Sequence, residues 1–288
     1  MGFCPFRSRT YCITGRLSPL EGEKVEVWFL RQSHEIRNAT MSIATLLLMF
    51  AAGFLSAAVN AVAGGGTFLT FGVLTLAGLP PVAANATSSI IQFPGYITST
   101  LAYFTDFRRL WRSALALGIV SLVGSLFGAL FLMSLSDADF RDMVPWLLLA
   151  ATIVFAAGPW LRPKHLGERH APSTLGLAVQ TATSFYGGFF GAGMGIMMLA
   201  SLGLAMGGDY HRLNAIKNFL AIVIALVAII VFSAADAVAW THAAIMLPAA
   251  ALGGYAGVHF AKRAPQALLR WMVVACGLGL SIYYFVTG

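Results

Sequence analysis

From Met41 onward, apolar runs follow one another with only short polar interruptions. Crossing about 30 Å of hydrocarbon takes roughly 20 residues of helix. On that measure the pattern predicts segments near 42–62, 66–79, 83–105, 112–134 and 142–161. A second set follows near 174–190, 194–206, 214–234, 241–261 and 271–287. Two of the ten, 66–79 and 194–206, are too short to cross comfortably. Each follows directly on a glycine cluster, Gly64-Gly65-Gly66 or Gly191-Ala192-Gly193-Met194-Gly195. Such clusters are poor helix, so they predict breaks.

The two sets form an internal repeat. Asn85-Ala86 recurs as Asn214-Ala215, Trp111 as Trp240, Gly124 as Gly253 and Gly128 as Gly257, each pair 129 positions apart. The glycine clusters align within a residue or two of that offset. The expected organisation is therefore a polar tail at 1–40, a first membrane repeat at 41–165 and a second at 166–288. The tail carries six Lys/Arg and four Glu and no run long enough to span. It reads either as a mis-called start with Met41 the initiator, or as a polar cytosolic tail.

Composition changes the picture by exclusion. Of 288 residues, 58% are hydrophobic and 10% charged, and mean hydropathy is +0.79. A soluble domain carries about 25% charged residues, so a cytosolic enzyme of this composition is excluded. Three cysteines without metal or redox spacing exclude a disulfide scaffold. The expected fold class is an all-α polytopic membrane protein.

Charge then orients the halves. A net charge of +7 would suggest nucleic acid in a soluble protein, but here the cations sit in loops between apolar runs. If each glycine-broken pair goes in and returns, each repeat has five segments and the second copy is inverted. Eleven of the 12 Lys/Arg after Met41 then share one side, leaving Arg141 opposite beside Asp137, Asp139 and Asp142. If each broken pair makes a single crossing, the split is 6 against 6. The positive-inside rule prefers inverted repeats. Charge leaves the first pair itself open, because the start after Met41 carries no cation.

Candidate chemistry lies at the breaks. Non-helical backbone at membrane depth survives only where it lines a cavity or meets a ligand. The helix that follows a break offers N–H groups and a positive dipole end, and two inverted copies bring two such ends together. That geometry suits a small anion. Gly64, Gly65, Gly66, Gly191, Gly193 and Gly195 are the candidate backbone, whereas Gly124/Gly128 and Gly253/Gly257 read as packing motifs. Lys217 is either a counter-charge for an anion or an interfacial snorkel. Asn218 follows it. Its first-half counterpart is Ser88, within a polar stretch that includes Thr87 and Gln92, although Asn85 or Thr87 could simply cap a helix. Asn60 and Thr67 flank the first break, and Ser184 is a weaker candidate. No catalytic dyad, metal-ligand set or cofactor motif is present, so neither an enzyme nor a cofactor is expected.

The strings NAVAGGGTFLTFGVLTLAGLPPVAANATSS (60–89) and GGFFGAGMGIMMLASLGLAMGGDYHRLNAIKNFLA (187–221) resemble the two halves of the TauE/SafE sulfite-exporter family. The resemblance extends over essentially all of 42–287. It implies a carrier of sulfite, sulfoacetate or related organosulfonates and carboxylates. The residues themselves imply only a small anion. The expectation is therefore an anion carrier in the cytoplasmic membrane working by alternating access, with lipid and substrate as partners, no nucleic acid, and room for self-association. Export is physically easy, since an inside-negative potential favours anion exit by about 2.3 kcal/mol per charge per 100 mV. The rival expectation is a non-transporting membrane scaffold or accessory subunit.

Overall fold

The structure is a computed structural model that describes residues 43–62, 64–161, 172–207, 210–260 and 266–287. The 1–40 tail and the expected boundary between the repeats at 165/166 lie outside the described residues. From Thr45 onward the chain forms one compact unit. Among the described residues it is all helix: α1 (Ile43–Val62), α2 (Thr67–Leu76), α3 (Pro81–Ala102), α4 (Phe104–Ser134) and α5 (Asp137–Leu161). Then come α6 (Thr174–Phe189), α7 (Met194–Met206), α8 (Tyr210–Ala234), α9 (Trp240–Phe260) and α10 (Gln266–Thr287). Each expected segment has its helix.

Surface chemistry places the bundle in a bilayer. On α4, Leu115, Ile119, Leu122, Leu126 and Leu130 recur at three- and four-residue spacing and are all exposed. The opposite face of α4 buries Ala114, Leu117, Ser121 and Ser125. An apolar stripe of this length facing water would be an aggregation surface, and facing lipid it is solvated. Among the described residues, four stretches are long and apolar enough to cross: Ile43–Ala61, Trp111–Ser134, Asp137–Ala157 and Arg212–Ala234. α3 has the length but not the hydropathy. Its 22 residues include Asn85, Thr87, Ser88, Gln92 and Ser99, all buried inside the protein.

Both glycine-broken pairs fold as hairpins. At one end of the second, Ser173 caps α6 by accepting from Gly176 N, and Ser173 N donates to Ala205 O at the end of α7 (2.9 Å). Midway, Ser201 Oγ donates to Gln180 Oε1 (2.6 Å), and at the turn Met194 lies on Gly187. The first pair, which charge leaves open, turns in the same way. Asn60 Oδ1 accepts from Gly66 N (3.0 Å), and α2 then runs back beside α3, from Gln92 at its middle toward Pro81 at its start. At 10 and 13 residues, α2 and α7 rise only about 15 and 20 Å.

Corresponding helices of the two halves make corresponding contacts. Gly124 and Gly128 of α4 sit against the carbonyls of Thr181 and Phe185 on α6. Gly253 and Gly257 of α9 sit likewise against those of Phe54 and Ala58 on α1. The expected packing role of these glycines is the observed one. α3 and α8 run antiparallel, with Tyr103 beside Asn214 and Tyr96 level with Ala221. α5 and α10 do too: Ser281 Oγ donates to Pro145 O (2.9 Å), and Arg141 reaches the carbonyl of Thr287.

Candidate functional site: two facing breaks around a mid-bundle cavity

The two breaks touch through backbone. Gly195 N donates to Gly64 O (3.2 Å), and a Cβ on Gly64 would stand 2.5 Å from Gly195 Cα. Gly64 has φ +83° and its counterpart Gly191, 127 positions on, has φ +75°, so each break turns through a left-handed glycine. Gly65 lies under the ring of Phe155 and Gly66 against the Ser56 carbonyl, while Gly193 forms the start of α7. Neither α2 nor α7 has a side-chain cap at its start.

The repeated Asn-Ala pair serves the opposite half. Asn85 Nδ2 donates to Phe189 O at the end of α6 (2.9 Å), and Asn214 Nδ2 to Ala61 O at the end of α1 (2.8 Å). Helix C-termini leave carbonyls without partners, and in an apolar interior each needs one. Because α3 starts at Pro81, Asn85 lies inside the helix, so the expectation that it or Thr87 caps its own helix is corrected. Lys217 Nζ donates to Asn60 O (2.7 Å), also near the end of α1, where the dipole favours a cation. The side chain is 1% exposed.

Asn60 links this end to a small cavity. Its Nδ2 lies 2.9 Å from Gln92 Oε1, 3.2 Å from Tyr96 Oη and 3.3 Å from Thr67 Oγ1. Thr67, Gln92 and Tyr96, with Ser89, are the polar lining of a cavity of about 20 Å³, room for one or two waters. The second half lines it with Gly187, Gly191, Met194 and the α8 face from Ala221 to Ala228. The cavity sits at mid-length of α3 and α8, beside both breaks. Its walls are chemically unequal because Asn60 and Thr67 correspond, at the 127 offset, to Gly187 and Met194. A Cβ on Gly187 would meet Met194 Sδ at 2.2 Å, so sulfur fills the place that an amide holds in the first half.

The other expected site residues fall elsewhere. Thr87 Oγ1 accepts from Ala239 N ahead of α9 (2.9 Å), and Ser88 Oγ donates to Asn85 O of its own helix (3.0 Å). Neither lines the cavity. Asn218 is fully buried and both its amide atoms lack a partner among the described residues. Ser184 donates to Gln180 O inside α6. Ser89, within the expected polar stretch from Thr87 to Gln92, does line the cavity, whereas sequence reasoning missed Tyr96 and Met194, which only the crossing of helices brings to one place. The roles of Asn85 and Asn214 were within reach, since they carry the repeat. Among the described residues no group of His, Cys, Asp or Glu could hold a metal ion.

The sulfite exporter TauE/SafE family matches this chain across residues 49–284. A probable membrane transporter protein of Haemophilus influenzae is 27% identical over 238 residues, covering 81% of this chain and 92% of its own length. A probable membrane transporter protein of Sinorhizobium is 24% identical over 237 residues, 82% of this chain and 91% of its own. One from Escherichia coli K12 is 27% identical over 243 residues, 83% and 90%. An all-helical bundle with a lipid-facing apolar surface, two glycine-broken hairpins meeting inside it, and this extent of match together make the chain a multi-pass membrane transporter belonging to the TauE/SafE family.

Proposed function

We propose that the protein carries a small anion across the cytoplasmic membrane by alternating access, with sulfite, sulfoacetate or a related organosulfonate or carboxylate as cargo. One observation carries the reading: where the two breaks meet, the bundle holds a cavity to which Thr67, Ser89, Gln92 and Tyr96 bring polar side chains and, among the described residues, no acidic side chain contributes to its lining. An anion there meets the Thr67 and Tyr96 hydroxyls, whereas a cation would meet no carboxylate. The family and the relatives' names support transport and leave the cargo to the site. Inverted copies of a five-helix unit would provide the two access states. The antiparallel α3/α8 and α5/α10 pairs support inversion, as does the shared end of Tyr103, Arg108, Arg112 and Arg212. Transport alone, with no chemical step, accounts for this residue set.

The test is efflux of labelled sulfite and sulfoacetate from preloaded proteoliposomes. Saturable efflux above protein-free vesicles is expected for at least one of them. Absence of efflux for these and for simple sulfonates and carboxylates, with stoichiometric co-purification of another protein, would favour the scaffold instead. Gly187→Ala sharpens the assignment. The added methyl pushes the flexible Met194 side chain toward the cavity, so efflux should fall at least several-fold while the thermal midpoint moves little. Unchanged efflux would place the route elsewhere.

A further inference from the structure

The seam between α3 and α8 reads as a ladder. Asn214 Nδ2 donates to Tyr103 Oη (3.4 Å), and the two helices run antiparallel from that contact. Steps of three and four residues along both helices then set Ser99 level with Asn218 and Tyr96 with Ala221. The next rungs are Gln92 with Ala225 and Ser89 with Ala228. The 129-residue repeat exchanges Gln92 with Ala221 and Tyr96 with Ala225, so the two middle rungs trade places. It also exchanges Ser89 with Asn218 and Ser99 with Ala228, so the two end rungs trade places.

The ladder is symmetric under the repeat, and the cavity is not. It is lined by both middle rungs and by Ser89 and Ala228, whereas Ser99 and Asn218 are outside it. The cavity is thus shifted toward the end of Pro81 and sealed toward the end of Tyr103 and Arg212. At about 20 Å³ it takes one or two waters and no sulfonate, so the rungs must part before cargo enters.

The sealed rung carries hydrogen-bonding capacity that this form does not use. Asn218 is 0% exposed, and neither its Nδ2 nor its Oδ1 has a partner among the described residues. Asn214 Oδ1, one turn nearer the cation-rich end, also has none. A carboxamide sealed without partners raises the energy of this form against any form in which water or cargo reaches it. Its counterpart Ser89 is served where it stands, lining the cavity and donating to Asn85 O (3.0 Å).

We propose that transport moves the cavity along the α3/α8 seam and that Asn218 is the cargo-binding amide of the form open to the cation-rich end. Exchange of conformations between the two halves closes the Ser89/Ala228 rung and opens the Ser99/Asn218 rung. The Asn218 N–H group then donates to an oxyanion oxygen, a charge-assisted bond from a neutral donor. The proposal rests on the anion-carrier reading and adds to it the site's second form. The strain of the unpartnered amide favours leaving the closed form.

The experiment is thiol labelling in a background with Cys4, Cys12 and Cys276 changed to serine. A membrane-impermeant methanethiosulfonate is applied to membrane vesicles of each orientation. Asn218→Cys should react at least about tenfold faster from the face that carries Arg212, and Ser89→Cys at least about tenfold faster from the opposite face. Asn218→Leu is the second arm. It loses no bond in the closed form, so its thermal midpoint should hold or rise while efflux of labelled sulfite or sulfoacetate falls at least several-fold. If Asn218→Cys does not fold, Asn218→Leu decides. An amide that bonded Asn214 within the fold would instead give a lower midpoint in Asn218→Leu and an unreactive cysteine, which overturns the proposal. Wild-type efflux combined with an unreactive Asn218→Cys, or with full efflux in Asn218→Leu, overturns the moving cavity and leaves the carrier standing. No wild-type efflux of these anions or of simple sulfonates and carboxylates overturns both.

Discussion

Gly64→Ala should yield little or no folded transporter. The glycine has φ +83°, and an L-residue held in that region costs about 1–3 kcal/mol. The methyl would also lie 2.5 Å from Gly195 Cα and 2.9 Å from Ile196 N. Both are backbone, so no side chain can swing away. Relief requires separating the two breaks and losing the Gly195 N to Gly64 O bond. Overpacking of this kind adds about 1–3 kcal/mol, and the total is a large share of a typical 5–15 kcal/mol stability. The check is monodisperse yield and thermal midpoint in detergent, set against Gly78→Ala. Gly78 has φ +86° with nothing within 4 Å of its absent Cβ, so that variant isolates the backbone cost. Equal losses in the two would show that the contact between the breaks yields readily.

The second large effect concerns the amides that tie each half to the other. Asn85→Ala leaves the Phe189 carbonyl without its donor, and Asn214→Ala does the same to Ala61. A buried acceptor stripped of its partner costs about 1–3 kcal/mol, and these sit at helix ends where the i→i+4 donor is already missing. Each single variant should lower stability by a similar amount. The Asn85→Ala/Asn214→Ala double variant should lower it by nearly the sum, because the two bonds share no partner. Denaturation of the purified variants in detergent gives the comparison. An effect confined to one of them would mean that only one of the corresponding bonds bears on stability.

The helices were legible because lipid demands them. A backbone without water must satisfy itself within the segment, so apolar length reads directly as helix. The breaks were legible for the converse reason, since glycine runs are the one feature that interrupts such a pattern. The site was legible in part. Asn60, Thr67, Gln92 and the glycines stand at or beside the cavity, while Thr87 and Ser88 face other partners. A polar residue in an apolar run announces a bond and not its direction. Lys217 shows the limit: spacing left it between counter-charge and snorkel, and burial against the Asn60 carbonyl depends on where α1 ends relative to α8.

Hydropathy, the 129-residue repeat and the cation count were enough for a ten-segment membrane protein built from two related halves. All three are local or statistical properties of the chain, and the bilayer converts them into helices without reference to which helix meets which. The hairpin form of the first broken pair, the crossing of Asn85 and Asn214 to the opposite half, and the meeting of Thr67 with Tyr96 required the folded bundle. These depend on contacts between residues far apart in the chain, where packing of small residues and the pairing of buried polar groups select one arrangement. Gly187 with Met194 makes the difference concrete. Read along the chain they belong to a glycine-rich repeat, and only in the bundle do they join the α8 face as the apolar lining of a cavity that Thr67, Gln92 and Tyr96 also line.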